Sequence, residues 1–152
     1  MFFVILPYKI FINMNYLLDF DMTICDTSAL KKYRHWKEAQ KHIEEIKIFD
    51  KAIEFINKVK QKGDSVFIVS GNVGSTIKKA IDHFNIPISK ENVFGYKWGY
   101  PTDNFKRKIM VITDALNVLK SKENVLYIGD EYNDLKACNE LGIKFEFEKF
   151  SK

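Results

Sequence analysis

The chain has 152 residues, 46% of them hydrophobic and 29% charged, and a net charge of +4. That length suits one domain with a sizeable core over 1–152, and only 7 Gly and 3 Pro argue against long disordered linkers. The mild positive charge permits an anionic partner without requiring one, since the lysines are spread along the whole chain as on a solvated surface.

In chain order, the first segment is the apolar "MFFVILPYKIFIN", residues 1–13. It has no basic region before it, is interrupted by Pro7 and Lys9, and is too short to span a bilayer. A signal peptide and a membrane anchor are both rejected. The segment reads as an N-terminal extension or an extra edge strand, with Met14 directly before the first core strand. Tyr16, Leu17 and Leu18 then form a short buried strand that runs into Asp19 and Asp21. Side chains two apart on a strand share a face, so two like charges would crowd beside a core unless something uses them.

A polar, helical-looking stretch follows from about Ser28 to Lys47. In 49–63, Ala52, Ile53, Ile56 and Val59 recur at helical spacing, and Gly63 is a stop. "SVFIVSGN" (65–72) is a β-branched strand ending in a turn, and 73–84 reads as a helix. A short strand at 92–96 precedes an amphipathic helix at 104–122 with Ile109, Ile112, Leu116 and Leu119 on one face. Residues 124–130 form another buried strand, "EYNDLKACNELG" a helix closed by Gly142, and "IKFEFE" a last strand. Strands alternating with helices predict an α/β fold, a doubly wound parallel sheet in three layers, with ligands at the carboxyl ends of the strands.

Three of those strand ends carry polar or acidic residues: Asp19 and Asp21, Ser70, and Asp130 with Asp134 beyond it. Four carboxylates in one cleft repel each other without a cation, and an all-oxygen ligand set suits Mg²⁺. Ser70 and Gly71, at a strand-to-helix junction, offer an anion site. Lys106, in the first turn of the 104–122 helix, sits where a cation is unfavourable for the helix dipole. Cys25 and Cys138 show neither a CxxC pair nor zinc spacing, which points to a reduced, cytoplasmic protein with Cys25 as buried filler.

The series Asp19-x-Asp21-x-Thr23, Ser70, Lys106 and Gly129-Asp130-x-x-x-Asp134 resembles the haloacid dehalogenase-like hydrolase superfamily over residues 16 to about 148. The resemblance implies a Mg²⁺-dependent phosphatase acting on a phosphomonoester. Asp19 would be the nucleophile forming an aspartyl-phosphate, and Asp21 the acid and then the base. Ser70, Gly71 and Lys106 would bind the phosphoryl group, and Thr23 would help hold the first motif in shape for it. Mg²⁺ would be held by Asp19, the backbone carbonyl of Asp21, and Asp130, with Asp134 supporting. An Asp at position 21 favours phosphatase or phosphotransferase chemistry over dehalogenation. Lys108 and Lys97 are the competing lysines.

Substrate choice in this superfamily comes largely from cap insertions. Here residues 26–48 leave room only for a small cap, and 97–103 for less. "KKYRHWKEAQKH" (31–42) supports two readings. Its charges and the aromatics Tyr33 and Trp36 would meet a phosphorylated small molecule or nucleic acid, or the aromatics would pack on the core while the charges face water. Three alternatives to the first function stand beside it: a phosphatase for nucleotides or nucleic-acid ends, an idle binding protein on the same fold, and a signalling receiver domain.

Overall fold

The protein is described by a computed structural model covering residues 13–152, so the expectations for residues 1–12 lie outside the described residues. Seven strands run β1 Asn15–Leu18, β2 Cys25–Asp26, β3 Lys47–Ile48, β4 Ser65–Val73, β5 Val93–Tyr96, β6 Val125–Gly129 and β7 Lys144–Phe147 among these residues. The helices are α1 Trp36–Gln40, α2 Asp50–Gln61, α3 Gly74–Phe84, α4 Asn104–Leu119 and α5 Tyr132–Leu141.

Five strands form one parallel sheet of order β5-β4-β1-β6-β7. The chain leaves β1 toward β4 and β5, then returns to the other side of β1 with β6 and β7. This reversal opens a crevice at the carboxyl ends of β1, β4 and β6. Alternation along the strands builds a core on each face. Leu18, Val66, Ile68 and Ile128 meet α2 and α3 through Ala52, Ile56, Ile77 and Ala80. Leu17, Phe67, Val69 and Tyr127 meet α4 and α5 through Val111, Ile112, Ala115 and Ala137. Leu17 and Leu18 thus enter opposite layers and both are fully buried, as expected for a central strand covered on both sides.

The predicted helix over 28–47 is replaced by short pieces: one-turn helices at Ser28–Lys32 and Ile43–Glu45, with the five-residue α1 between them. The buried anchors of this segment, Leu30, Ile43 and Ile46, are too irregularly spaced for a helical stripe. The antiparallel pair β2 and β3 closes the segment at its base.

A second departure concerns Ser70 and Gly71. The strand does not end at them: β4 continues to Val73, and α3 begins only at Gly74. Val69 pairs with Phe94 and Val73 with Tyr96, so β4 uses two more residues than β5 over the same stretch. Ser70 to Asn72 therefore sit on a bulged strand end, not on a helix N-terminus. Close packing at Gly95, where a Cβ would lie 2.7 Å from the Gly74 Cα, accommodates the bulge.

Candidate active site

Past Leu18 the chain stops being a strand. The Phe20 carbonyl accepts from the backbone N–H groups of Thr23, Ile24 and Cys25, which winds residues 20–25 into a tight loop. Met22, at φ 59°, takes the left-handed conformation that closes it. This loop resolves the crowding expected for Asp19 and Asp21, because the two carboxylates are held in different surroundings.

Asp19 is 3% exposed, and its Oδ1 accepts from the Phe20 N–H. The Lys108 Nζ lies 3.3 Å from that same Oδ1 and 2.8 Å from the Asp134 Oδ1. Oxygens of Asp19, Asp130 and Asp134 fall within 4.8 Å of one another. Asp21 stands outside this triplet. Its Oδ1 accepts from Thr27 Oγ1 at 2.6 Å and Asn72 Nδ2 at 2.9 Å.

The electrostatics follow from this arrangement. Burial first, then the Asp19 charge, holds the Asp21 carboxyl above its ordinary value, while the Thr27 and Asn72 hydrogen bonds pull the other way. Burial, with Asp19, Glu131 and Asp134 adding to it, pushes Asp130 up to about 7. Asp134 is raised by burial and Asp19, with Lys108 opposing. For Lys108 burial acts downward, but the flanking Asp19 and Asp134 outweigh it and the net shift is upward.

A cleft of about 180 Å³ is lined by Asp19, Asp21, Ser70, Gly71, Asn72 and Lys108, with Asn104, Glu131 and Asn133 at its edge. The Ser70 Oγ accepts from the Asn72 N–H at 3.1 Å, which leaves its own proton for another acceptor. Gly71 is steadied from behind, its carbonyl accepting from Arg107 Nη1 at 3.3 Å. The β6–α5 turn requires a glycine at 129, since a Cβ there would lie 2.3 Å from the Asp134 Oδ2.

Two expected residues fall elsewhere. Lys106 is exposed, and its backbone N–H is bound by the Asp103 side chain that caps α4. Lys108 occupies the cleft because it shares the inward stripe of α4 with Val111, Ile112 and Ala115. A lysine on the buried stripe of an amphipathic helix was the readable signal for it. Thr23 is fully buried and is not part of the cleft wall. Asn72 and Thr27, which hold Asp21, lie outside the residues to which the sequence points. Asn72 directly follows Ser70-Gly71, whereas nothing in the sequence marks Thr27.

The acidic triplet passes a simple test for a hard divalent cation. Its donors are all carboxylate oxygens, and the buried Asp130 Oδ1 has no hydrogen-bond partner. Among the described residues, no His or Cys lines the cleft to favour zinc.

An open parallel sheet with acidic groups and one buried lysine at its switch point defines a Rossmann-like α/β protein with an oxygen-donor site. The sequence matches the haloacid dehalogenase-like hydrolase family over residues 28–147, and the chain belongs to that family. The match begins after Asp19 and Asp21, so the first motif rests on the geometry above. A search of curated proteins finds no match. Among solved structures, a predicted phosphatase from Clostridium acetobutylicum superposes with a TM-score of 0.71 at 16% identity, covering 88% of this chain and 83% of that one. CbbY from Rhodobacter sphaeroides, in complex with phosphate, gives 0.68 at 12% identity over 92% and 91%. A haloacid dehalogenase-like hydrolase from Streptococcus pneumoniae gives 0.65 at 15% over 88% and 83%. Each is similar in fold. Among the described residues, no helix is long and apolar enough to cross a membrane.

Proposed function

We propose that the protein is a Mg²⁺-dependent phosphomonoester hydrolase in which Asp19 is the nucleophile and Asp21 the proton carrier. The observation that carries this reading is the unequal treatment of the two carboxylates. Asp19 faces a buried ammonium and two further carboxylates, whereas Asp21 is held by neutral donors with its proton affinity raised. A nucleophile must stay ionised beside cations, and a general acid must hold a proton near neutral pH.

In the first half-reaction an Asp19 oxygen attacks phosphorus and the ester P–O bond breaks, with Asp21 delivering its proton to the departing alcohol oxygen. In the second, water attacks phosphorus, Asp21 takes the water's proton, and the acyl-phosphate P–O bond breaks. Inorganic phosphate leaves and Asp19 is regenerated. Ser70 Oγ–H, the Gly71 backbone and Lys108 would hold the equatorial oxygens, in the role first expected of Lys106. Mg²⁺ would be held by Asp19, Asp130 and the backbone carbonyl of Asp21, with Asp134 supporting, and it would offset the charge that separates a carboxylate from a phosphate. Residues 26–48 serve as a small cap on a single domain.

The test is phosphate release from an aryl phosphate, with Mg²⁺ or with chelator, in the wild type, Asp19→Asn and Asp21→Asn. Metal-dependent turnover that falls by at least about 10³-fold in Asp19→Asn is expected. Asp19→Asn that keeps a tenth or more of the activity while folded would overturn the nucleophile assignment.

A further inference from the structure

A second cavity, of about 350 Å³, adjoins the acidic cleft and shares Asp21, Asn72 and Glu131 with it. Its other walls are the apolar Met22, Leu30, Trp36 and Ala39, joined by Thr27 and Thr76, with Lys31 the one cation among them. The two aromatics of the 31–42 stretch divide between the two readings given to them. Tyr33 packs against the core and stacks on His42, with ring centroids 4.3 Å apart. Trp36 is 44% exposed and borders the cavity, whereas its neighbour Leu30 is only 9% exposed.

The wall that carries Trp36 is fixed in place. At the end of α1, the Gln40 Nε2 donates to Ser75 Oγ at 2.9 Å and Thr76 Oγ1 at 3.0 Å, which ties this segment to the start of α3. Thr27 both lines the cavity and donates to the Asp21 carboxylate. Whatever occupies this cavity while phosphorus is at Asp19 lies next to Asp21, which is where a leaving group must be.

We infer that this cavity takes the leaving group, and that the leaving group carries an aromatic ring which packs against Trp36. The inference rests on the hydrolase reading for its orientation, but not for the binding itself. A half-exposed indole beside Met22, Leu30 and Ala39 offers an apolar face for stacking, which favours a planar ring over a polyol on that wall. The ring can be the ester-bearing group itself, as in an aryl phosphate, or be joined to it through a sugar, as in a nucleoside monophosphate.

Two measurements test this. In the first, kcat/KM is measured for p-nitrophenyl phosphate, a nucleoside 5′-monophosphate and glycerol 3-phosphate in the wild type, Trp36→Ala and Trp36→Phe. Aryl esters are intrinsically reactive, so the readout is the change on substitution. Trp36→Ala should cost the ring-bearing substrates about tenfold more than glycerol 3-phosphate, mainly through KM, and Trp36→Phe should recover most of it. Whichever ring-bearing substrate shows the effect identifies the source of the ring. An equal loss on all three esters would overturn the inference.

The second measurement needs no turnover. With Trp98→Phe as background, Trp36 is the remaining tryptophan of the chain, and its fluorescence is titrated with the nucleoside monophosphate, with p-nitrophenol and with ribose 5-phosphate, corrected for absorption. Saturable quenching by a ring-bearing ligand and none by the sugar phosphate is expected. No saturable quenching by either ring-bearing ligand overturns the inference. Quenching without hydrolysis of any ester would sustain ring binding at Trp36 while overturning the leaving-group orientation drawn from the hydrolase reading.

Discussion

Lys108 gives the strictest test of how the site is held together. Lys108 is 6% exposed, and its ammonium lies 3.3 Å from Asp19 Oδ1 and 2.8 Å from Asp134 Oδ1. At an effective dielectric of about 20 each contact is worth on the order of 5 kcal/mol before desolvation, and most of that is cancelled by the cost of burying the charges. Removing the cation, as in Lys108→Met, leaves the carboxylates unopposed. The expected loss is about 3–5 kcal/mol of unfolding free energy at pH 7.5 in chelator. Lys106→Ala, two residues away on the exposed side, should change stability by less than about 0.5 kcal/mol.

The loss in Lys108→Met must also depend on pH. Asp130, at about 7, and Asp134 have folded-state pKa values above their unfolded ones. Such groups contribute stability that is present below the unfolded pKa, near 4, and is lost as pH rises through the folded value. Without Lys108 the acids bind protons more tightly still, so at pH 5 they neutralise one another's repulsion by protonation. The penalty should therefore shrink by at least about 1 kcal/mol between pH 7.5 and pH 5. Urea denaturation of the two variants and the wild type at both values measures this. A penalty for Lys108→Met that matches Lys106→Ala, or that is the same at both pH values, would refute the account.

Three further outcomes are expected. Mg²⁺ binding displaces protons from the acidic triplet, so with Asp130 near 7 the apparent affinity by calorimetry should be about tenfold weaker at pH 6 than at pH 8, with measurable proton release. Gly129→Ala forces a Cβ against the Asp134 carboxylate and should cost about 1–3 kcal/mol, seen as a lowered thermal midpoint, and weaken Mg²⁺ binding alongside. Thr27→Val removes a hydrogen bond that favours the charged Asp21, so the Asp21 pKa rises, and the limb of the pH–rate profile that needs its base form should move to higher pH.

The sheet was legible because its signals are local and strong. Leu17 with Leu18, the 65–69 run and the 125–128 run are apolar stretches of strand length, each bounded by polar residues, and the helices between them have clear stripes. Asp19, Asp21, Asp130 and Asp134 were legible for another reason: carboxylates at the ends of apolar strands have little purpose except a site. What escaped depends on three-dimensional register. Choosing between Lys106 and Lys108 requires knowing which face of α4 turns inward, and a lysine on the inward stripe is overlooked when only apolar residues are counted. The bulge that pushes Ser70 to Asn72 into the cleft arises from pairing with β5, which neither strand announces by itself.

The 26–48 segment is where this distinction has most consequence. By sequence it is a short polar insertion, and its size alone argues for an open cleft. Its contacts make it more than a cover. Thr27, at its base, donates to the carboxylate assigned as proton carrier, Trp36 walls the adjoining cavity, and Gln40 ties the segment to α3. A displacement of this segment would therefore alter two things together: the shape offered to the leaving group and the hydrogen bonding that sets the proton affinity of Asp21. If both travel with one small element, Gln40→Ala should loosen both, raising KM for ring-bearing esters and shifting the Asp21 limb of the pH–rate profile in the same variant, although residue 40 does not hydrogen-bond the acid and meets the cavity wall only through Thr76. A change in KM with an unmoved pH profile would show that Thr27 stays seated when the rest of the segment does not.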